Sequence, residues 1–166
     1  GLSADINYKL NSKLNLITGV SANYISGDKN NTDDKLNTYN LLFSKPSYGL
    51  AAPIGSSNII NINPYLRINP LKKLSVYTGV YFMQRQSNRD GTYSPGMAQV
   101  RPSPANLFES AEKNIGTQYA IETNYELNQH FSFAADAAFF KAGNYVKETG
   151  KGLDISYFAF KAAFKF

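Results

Sequence analysis

Residues Tyr157–Phe166 read YFAFKAAFKF. Phe158, Phe160, Phe164 and Phe166 stand at every second position, with Ala162 filling the gap, and Lys161 and Lys165 fall between them. In a strand successive side chains point to opposite faces, so a period of two separates an apolar side from a charged one. The apolar side has to be covered, either by a protein core or by lipid. Which of the two applies decides the fold.

The same alternation recurs six times upstream. LSADINYKL (2–10) sets Leu2, Ala4, Ile6, Tyr8 and Leu10 against Ser3, Asp5, Asn7 and Lys9. LNLITGVSANY (14–24) follows, then IININPYLRI (59–68) and LSVYTGVYFMQR (74–85). IGTQYAIETNYEL (115–127) sets Ile115, Thr117, Tyr119 and Ile121 against Gln118, Glu122 and Glu126, and FSFAADAAFF (131–140) completes the set. These segments are about ten residues long, whereas strands of soluble proteins average about five or six. A strand crossing a bilayer at a tilt needs about 9–11. The connections alternate in length. Short turns lie at 11–13, 70–73 and 128–130, long loops at 27–57 and 86–113, and a medium one at 143–152. Outer-membrane barrels have short periplasmic turns and longer extracellular loops. A soluble sandwich, with its apolar faces forming the core, is the competing reading.

The expected fold is therefore all-β, an antiparallel transmembrane β-barrel meander with about seven strands, in one domain over 1–166. Outer-membrane lipid then meets the apolar face, and Tyr8, Tyr24 and Tyr125 sit in the interfacial girdle. Lipid offers the backbone no partners, so the sheet must close. An odd count conflicts with the even number normal in single-chain bacterial barrels. With the last strand ending in the periplasm, the first also runs inward, and the two cannot pair antiparallel. The chain also opens at Gly1 without a methionine. Both features point to a part of a larger barrel whose missing strands come from the same or another chain. A complete eight-stranded barrel, with an extra strand hidden in 36–50, is the alternative. Phe164 and Phe166 on the closing strand resemble the C-terminal signal read by the barrel-assembly machinery of Gram-negative bacteria.

Composition narrows function. The 166 residues include no cysteine and one histidine, His130, which disfavours thiolate or histidine metal sites and a Ser-His-Asp triad. The net charge of +5 is dispersed, so no nucleic-acid patch forms. Asp90 and the Asp33-Asp34 pair lack a recognised calcium-loop spacing. Neither a cofactor nor an enzymatic activity is expected.

Four stretches carry a family resemblance: LNTYNLLFSKPSYG (36–49), SNIININPYLRINPLKKLSVYTG (57–79), FMQRQSNRDGTY (82–93) and IGTQYAIETNYELNQHFSFAADAAFFKAGNYVKETGKG (115–152). The run Arg85…Asp90-Gly91…Tyr93 and the run Phe140…Gly143 are the most characteristic. Together they resemble the alginate-export family of outer-membrane barrels. The resemblance implies a channel or porin, in the best-known members one exporting anionic polysaccharide.

A channel selects by lumen width and lining charge. Alternation places Asp5, Lys9, Arg67, Arg85, Glu122, Glu126, Asp136, Lys161 and Lys165 on the lumen side. The expected lumen or substrate contacts are Arg67, Tyr81, Arg85, Glu122, Lys161 and Lys165, with Arg89 and Arg101 on the long loop. The bland expectation is that Glu122, Asp136 and Lys161 pair across strands and stiffen the wall. The loop 88–113, with NLFES (106–110) as a short helical turn, either folds into the lumen or stays on the surface. A plugged structural or partner-binding barrel is a further alternative to an open pore.

Overall fold

A computed structural model describes residues 1–10, 13–30, 33–40, 49–51, 54–101 and 110–166. Seven strands form one antiparallel sheet: β1 (Leu2–Lys9), β2 (Ile17–Ile25), β3 (Ile59–Leu71), β4 (Leu74–Gln84), β7 (Asn114–Glu126), β8 (Phe131–Ala142) and β9 (Ile155–Phe164). Their order in the sheet is their order in the chain. The strands β5 (Thr92–Tyr93) and β6 (Gln99–Arg101) make a separate small ribbon in the long loop, and a short helix α1 (Asn144–Glu148) precedes β9. Among the described residues no helix is long and apolar enough to cross a membrane.

The sheet is inverted relative to a water-soluble one. In the central strands the polar positions are covered: Asn61, Asn63, Gln118 and Asp136 are buried. The apolar positions between them are open, with Ile62 46 %, Phe82 47 %, Tyr119 51 % and Ile121 45 % exposed. On β9 Phe158 is 74 % and Phe160 65 % exposed. Lys161 shares the other face, where its Nζ lies 2.7 Å from Asp136 Oδ2. Soluble monomers rarely expose so continuous an apolar surface.

Register keeps the faces separate. Leu66 pairs with Thr78, Thr78 with Ile121, Ile121 with Ala137 and Ala137 with Phe158, so one outer row crosses five strands. Two expectations are corrected. Ile115, expected on the outer face, is 1 % exposed and packs inward. Met83 pairs with Gly116 while Gln84 pairs with Asn114, so β7 carries one extra residue and Ile115 turns in beside Gly116. Gly116 permits this: its φ is +154°, and a Cβ there would stand 2.5 Å from Lys141 O and from the Phe140 ring. The second strand begins at Ile17, not Leu14. Asn15 is left-handed at φ +45°, and Leu10 N–H donates to Leu16 O across the turn.

The sheet is open at both sides. β1 pairs only with β2 and β9 only with β8 among the described residues. The two edge strands run in the same direction, as seven antiparallel strands require. Of the stretch considered for an eighth strand, residues 41–48 lie outside the described residues, and 36–40 and 49–50 are not strand.

Candidate functional site in the lumen wall

The inner face divides into two levels. At the long-loop end it is dry. Ile25, Ile59, Met83, Ile115, Phe140 and Ala142, all near the loop ends of their strands, pack with Tyr145 of α1. Ala51 and Ile54 of the 26–58 loop close over them, and Ala51 N–H donates to Gln118 Oε1 at 2.9 Å. This loop thus returns onto the inner face of β7.

Arg85 stands at the centre of this level, fully buried. Its guanidinium donates to the carbonyls of Asn88, Asp90, Ser110 and Glu112 and lies 3.8 Å from the centroid of the Tyr145 ring. Five N–H donors in a rigid fork suit such a set of main-chain acceptors. Arg85 was expected to contact substrate, but its donors are directed at the loop. Asn58, equally buried, donates to the carbonyls of Ser87, Asp90 and Gly91 and accepts from Ser87 N–H. The Asp90 carboxylate accepts from Asp28 N–H, Gly91 N–H and the hydroxyls of Thr38 and Tyr93. Burial, and then the bond to Asp90, pushes the Tyr93 phenol above its ordinary pKa. Arg85, Asn58 and Asp90 therefore tie the two long loops together.

The level toward the short turns is polar and open. A cavity of about 390 Å³ opens on the inner face, lined by Arg67, Asn69, Tyr77, Tyr81, Glu122 and Asn124, among others. Arg67 lies 5.2 Å from the Tyr65 ring centroid and 5.5 Å from that of Tyr77. Tyr77 donates to Asn63 Oδ1, and its oxygen is 3.0 Å from that of Tyr81. Tyr65 donates to Asp5 at 2.9 Å, which extends the polar row to the edge strand β1. On the other side Lys161 closes on the nearly buried Asp136. Two small residues make room for these tyrosines. A Cβ on Gly19 would stand 2.7 Å from the Tyr65 ring, and one on Gly79 2.7 Å from the Tyr77 hydroxyl.

Of the residues singled out from sequence, Arg67, Tyr81 and Glu122 come together on this cavity. Lys161 is committed to Asp136, whereas Glu122 forms no ion pair among the described residues. Arg101 donates to the carbonyls of Thr149 and Lys151, tying the small ribbon to the last loop. Arg89 lies in a separate loop cavity of about 400 Å³ with Asp28, Asp33 and Asp34. Lys165 lies past the end of β9, where its N–H donates to His130 O. Phe164 packs on Phe131 and Phe166, at centroid distances of 4.9 and 5.2 Å. Tyr65, Tyr77 and Asn63 were not singled out, although their inward parity was readable. Residues 102–109, which hold most of NLFES, lie outside the described residues.

Residues 1–156 match the family described as Alginate export. The chain belongs to that family. A search of curated proteins finds no match. The family is one of export, and the cavity beside Arg67 brings hydroxyls, amides and both signs of charge together on the inner face.

Proposed function

We propose that this chain forms part of the wall of an outer-membrane channel of Gram-negative bacteria that passes polar solutes, anionic polysaccharide among them. The observation that carries the reading is the polar cavity on the face opposite the exposed apolar rows. Tyr65 and Tyr77 offer flat rings, Arg67 a planar cation and Asn63 and Asn124 amides, a set able to follow hydroxyl- and carboxylate-bearing sugars without holding them. The edges of β1 and β9 are paired by further strands of the same polypeptide or of another chain. An open edge in hydrocarbon leaves a row of N–H and C=O groups unsatisfied, at several kcal/mol each. The barrel-assembly machinery then inserts the product, reading the aromatic end of β9.

A second reading is a channel closed at its outer end. It rests on Ala51 and Ile54, which cover the inner face of the sheet beside Gln118. Planar-bilayer recording of the full chain separates the two. An open channel conducts steadily, and Arg67→Glu shifts its selectivity toward cations while Glu122→Gln shifts it toward anions. A closed one is silent until the loop 49–54 is deleted. Silence after that deletion, or selectivity indifferent to both substitutions, overturns the channel reading.

A further inference from the structure

The short-turn end of the sheet is basic in a way that the long-loop end is not. Among the described residues it carries Lys9, Lys13, Lys72, Lys73 and Lys165 against Glu126. The loops at the other end mix signs, as in Asp28, Lys29, Asp33, Asp34 and Lys35. Between the first two turns lies a cleft of about 480 Å³, lined by Lys13, Asn15, Asn69, Pro70, Leu71 and Lys72. Asn69 N–H donates to Leu14 O at 2.7 Å, so the two turns are held against each other and the cleft is fixed in shape.

Its lip belongs to the lipid side. Ile68 pairs with Val76 while Leu71 pairs with Leu74, so β3 carries an extra residue there. That bulge returns Leu71 to the outer face beside Leu74, where it is 60 % exposed. Leu10 and Leu14, which flank the first turn, are exposed as well. Two ammonium groups and two amides therefore stand directly past the end of an apolar belt. This is the layering of a phospholipid: acyl chains against Leu71 and Leu14, phosphate between Lys13 and Lys72. Clusters of lysine beside a bilayer attract anionic headgroups.

We propose that this cleft binds the phosphate of an anionic phospholipid in the leaflet on the short-turn side, and so anchors the first two hairpins at a fixed depth. The proposal rests on the membrane reading above. The full chain is refolded into vesicles of phosphatidylcholine alone and of phosphatidylcholine with phosphatidylglycerol, and the midpoint of its heat-induced gel shift is measured. Phosphatidylglycerol raises the midpoint. Lys13→Ala/Lys72→Ala loses at least half of that increment, and the loop control Lys29→Ala/Lys35→Ala keeps it. Inorganic phosphate added to phosphatidylcholine vesicles gives no increment. An increment equal in both double variants overturns the proposal, as does one reproduced by inorganic phosphate. So does retention of the increment by Lys13→Ala/Lys72→Ala while a soluble anionic polysaccharide loses affinity, which would assign the lysines to polymer capture. Failure to insert into either vesicle refutes the membrane reading itself, a result distinct from insertion without an increment.

Discussion

Replacing Arg85 with methionine distinguishes a loop-holding arginine from a pore-lining one. The side chain is fully buried and makes five N–H···O contacts to four loop carbonyls. A hydrogen bond to a charged group contributes about 1.5–3 kcal/mol, and such bonds are not additive. Removing the guanidinium leaves buried loop carbonyls without that donor, at about 1–3 kcal/mol for each that stays unsatisfied. Methionine keeps most of the stem's apolar volume and abolishes a buried charge, which offsets part of the loss. A cost near 3 kcal/mol, falling on loop closure and not on strand pairing, raises the open fraction of the loop by roughly two orders of magnitude. Arg89, exposed in this loop, is a tryptic site that reports the opening. In Arg85→Met the cleavage rate rises by about a hundredfold while the gel-shift midpoint of the barrel changes little. Arg85→Lys falls between, because an ammonium cannot reach four carbonyls at once. Wild-type protection in Arg85→Met, together with a change in ion selectivity, would refute the reasoning and return Arg85 to the lumen.

Three further outcomes follow from single contacts. Gly116→Val puts a branched side chain against Lys141 O and the Phe140 ring at a positive φ; it lowers the gel-shift midpoint, by about 1–3 kcal/mol of stability, and an unchanged midpoint contradicts the bulge. Lys161→Met strands the nearly buried Asp136, whereas Asp136→Asn leaves only the largely exposed Lys161; the first is the more destabilising, by about 1 kcal/mol on urea unfolding, and the reverse order would mean that the pair does not persist. Phe166 is fully exposed and touches the Phe164 ring alone among described aromatics, so Phe166→Ser reduces membrane-inserted protein in cells but not refolding in detergent; equal levels in cells reject a recognition role.

The strand pattern was legible because lipid and lumen impose opposite demands on alternate residues, with no exception needed along most of β3, β4, β8 and β9. Legibility failed where the backbone departs from period two. Ile115 appeared outward because alternation counts residues evenly, and nothing but Gly116 hints at the extra one. Leu14 looked like the start of a strand because it is apolar, yet left-handed Asn15 holds it in the turn. The cavity was half legible. Arg67, Tyr81 and Glu122 were reachable by parity, but their grouping on one cavity depends on register between β3, β4 and β7, which pairs Arg67 with Tyr77 and Tyr77 with Glu122. The role of Arg85 was not legible, since alternation gives a direction and not a depth. Arg85 stands one residue past β4, where loops cover the sheet.

That difference in depth bears on the charge of the inner face. Counted from sequence, the wall carries five basic and four acidic side chains, close to balance. The structure withdraws Arg85 into the loop carbonyls and couples Lys161 to Asp136. What faces the cavity is then Arg67, held over two tyrosine rings, with Glu122 beyond Tyr77. One cation and one carboxylate of nearly equal reach give little net field, so this part of the wall cannot by itself favour a polyanion strongly. Its positive charge lies at the short-turn rim, where Lys9, Lys13, Lys72 and Lys73 gather. In these seven strands the net positive charge therefore lies at the rim, on the lysines proposed above to hold lipid phosphate, while the cavity presents rings and amides. On the channel reading proposed above, a strongly selective constriction then falls to the strands proposed to pair with the open edges of β9 and β1.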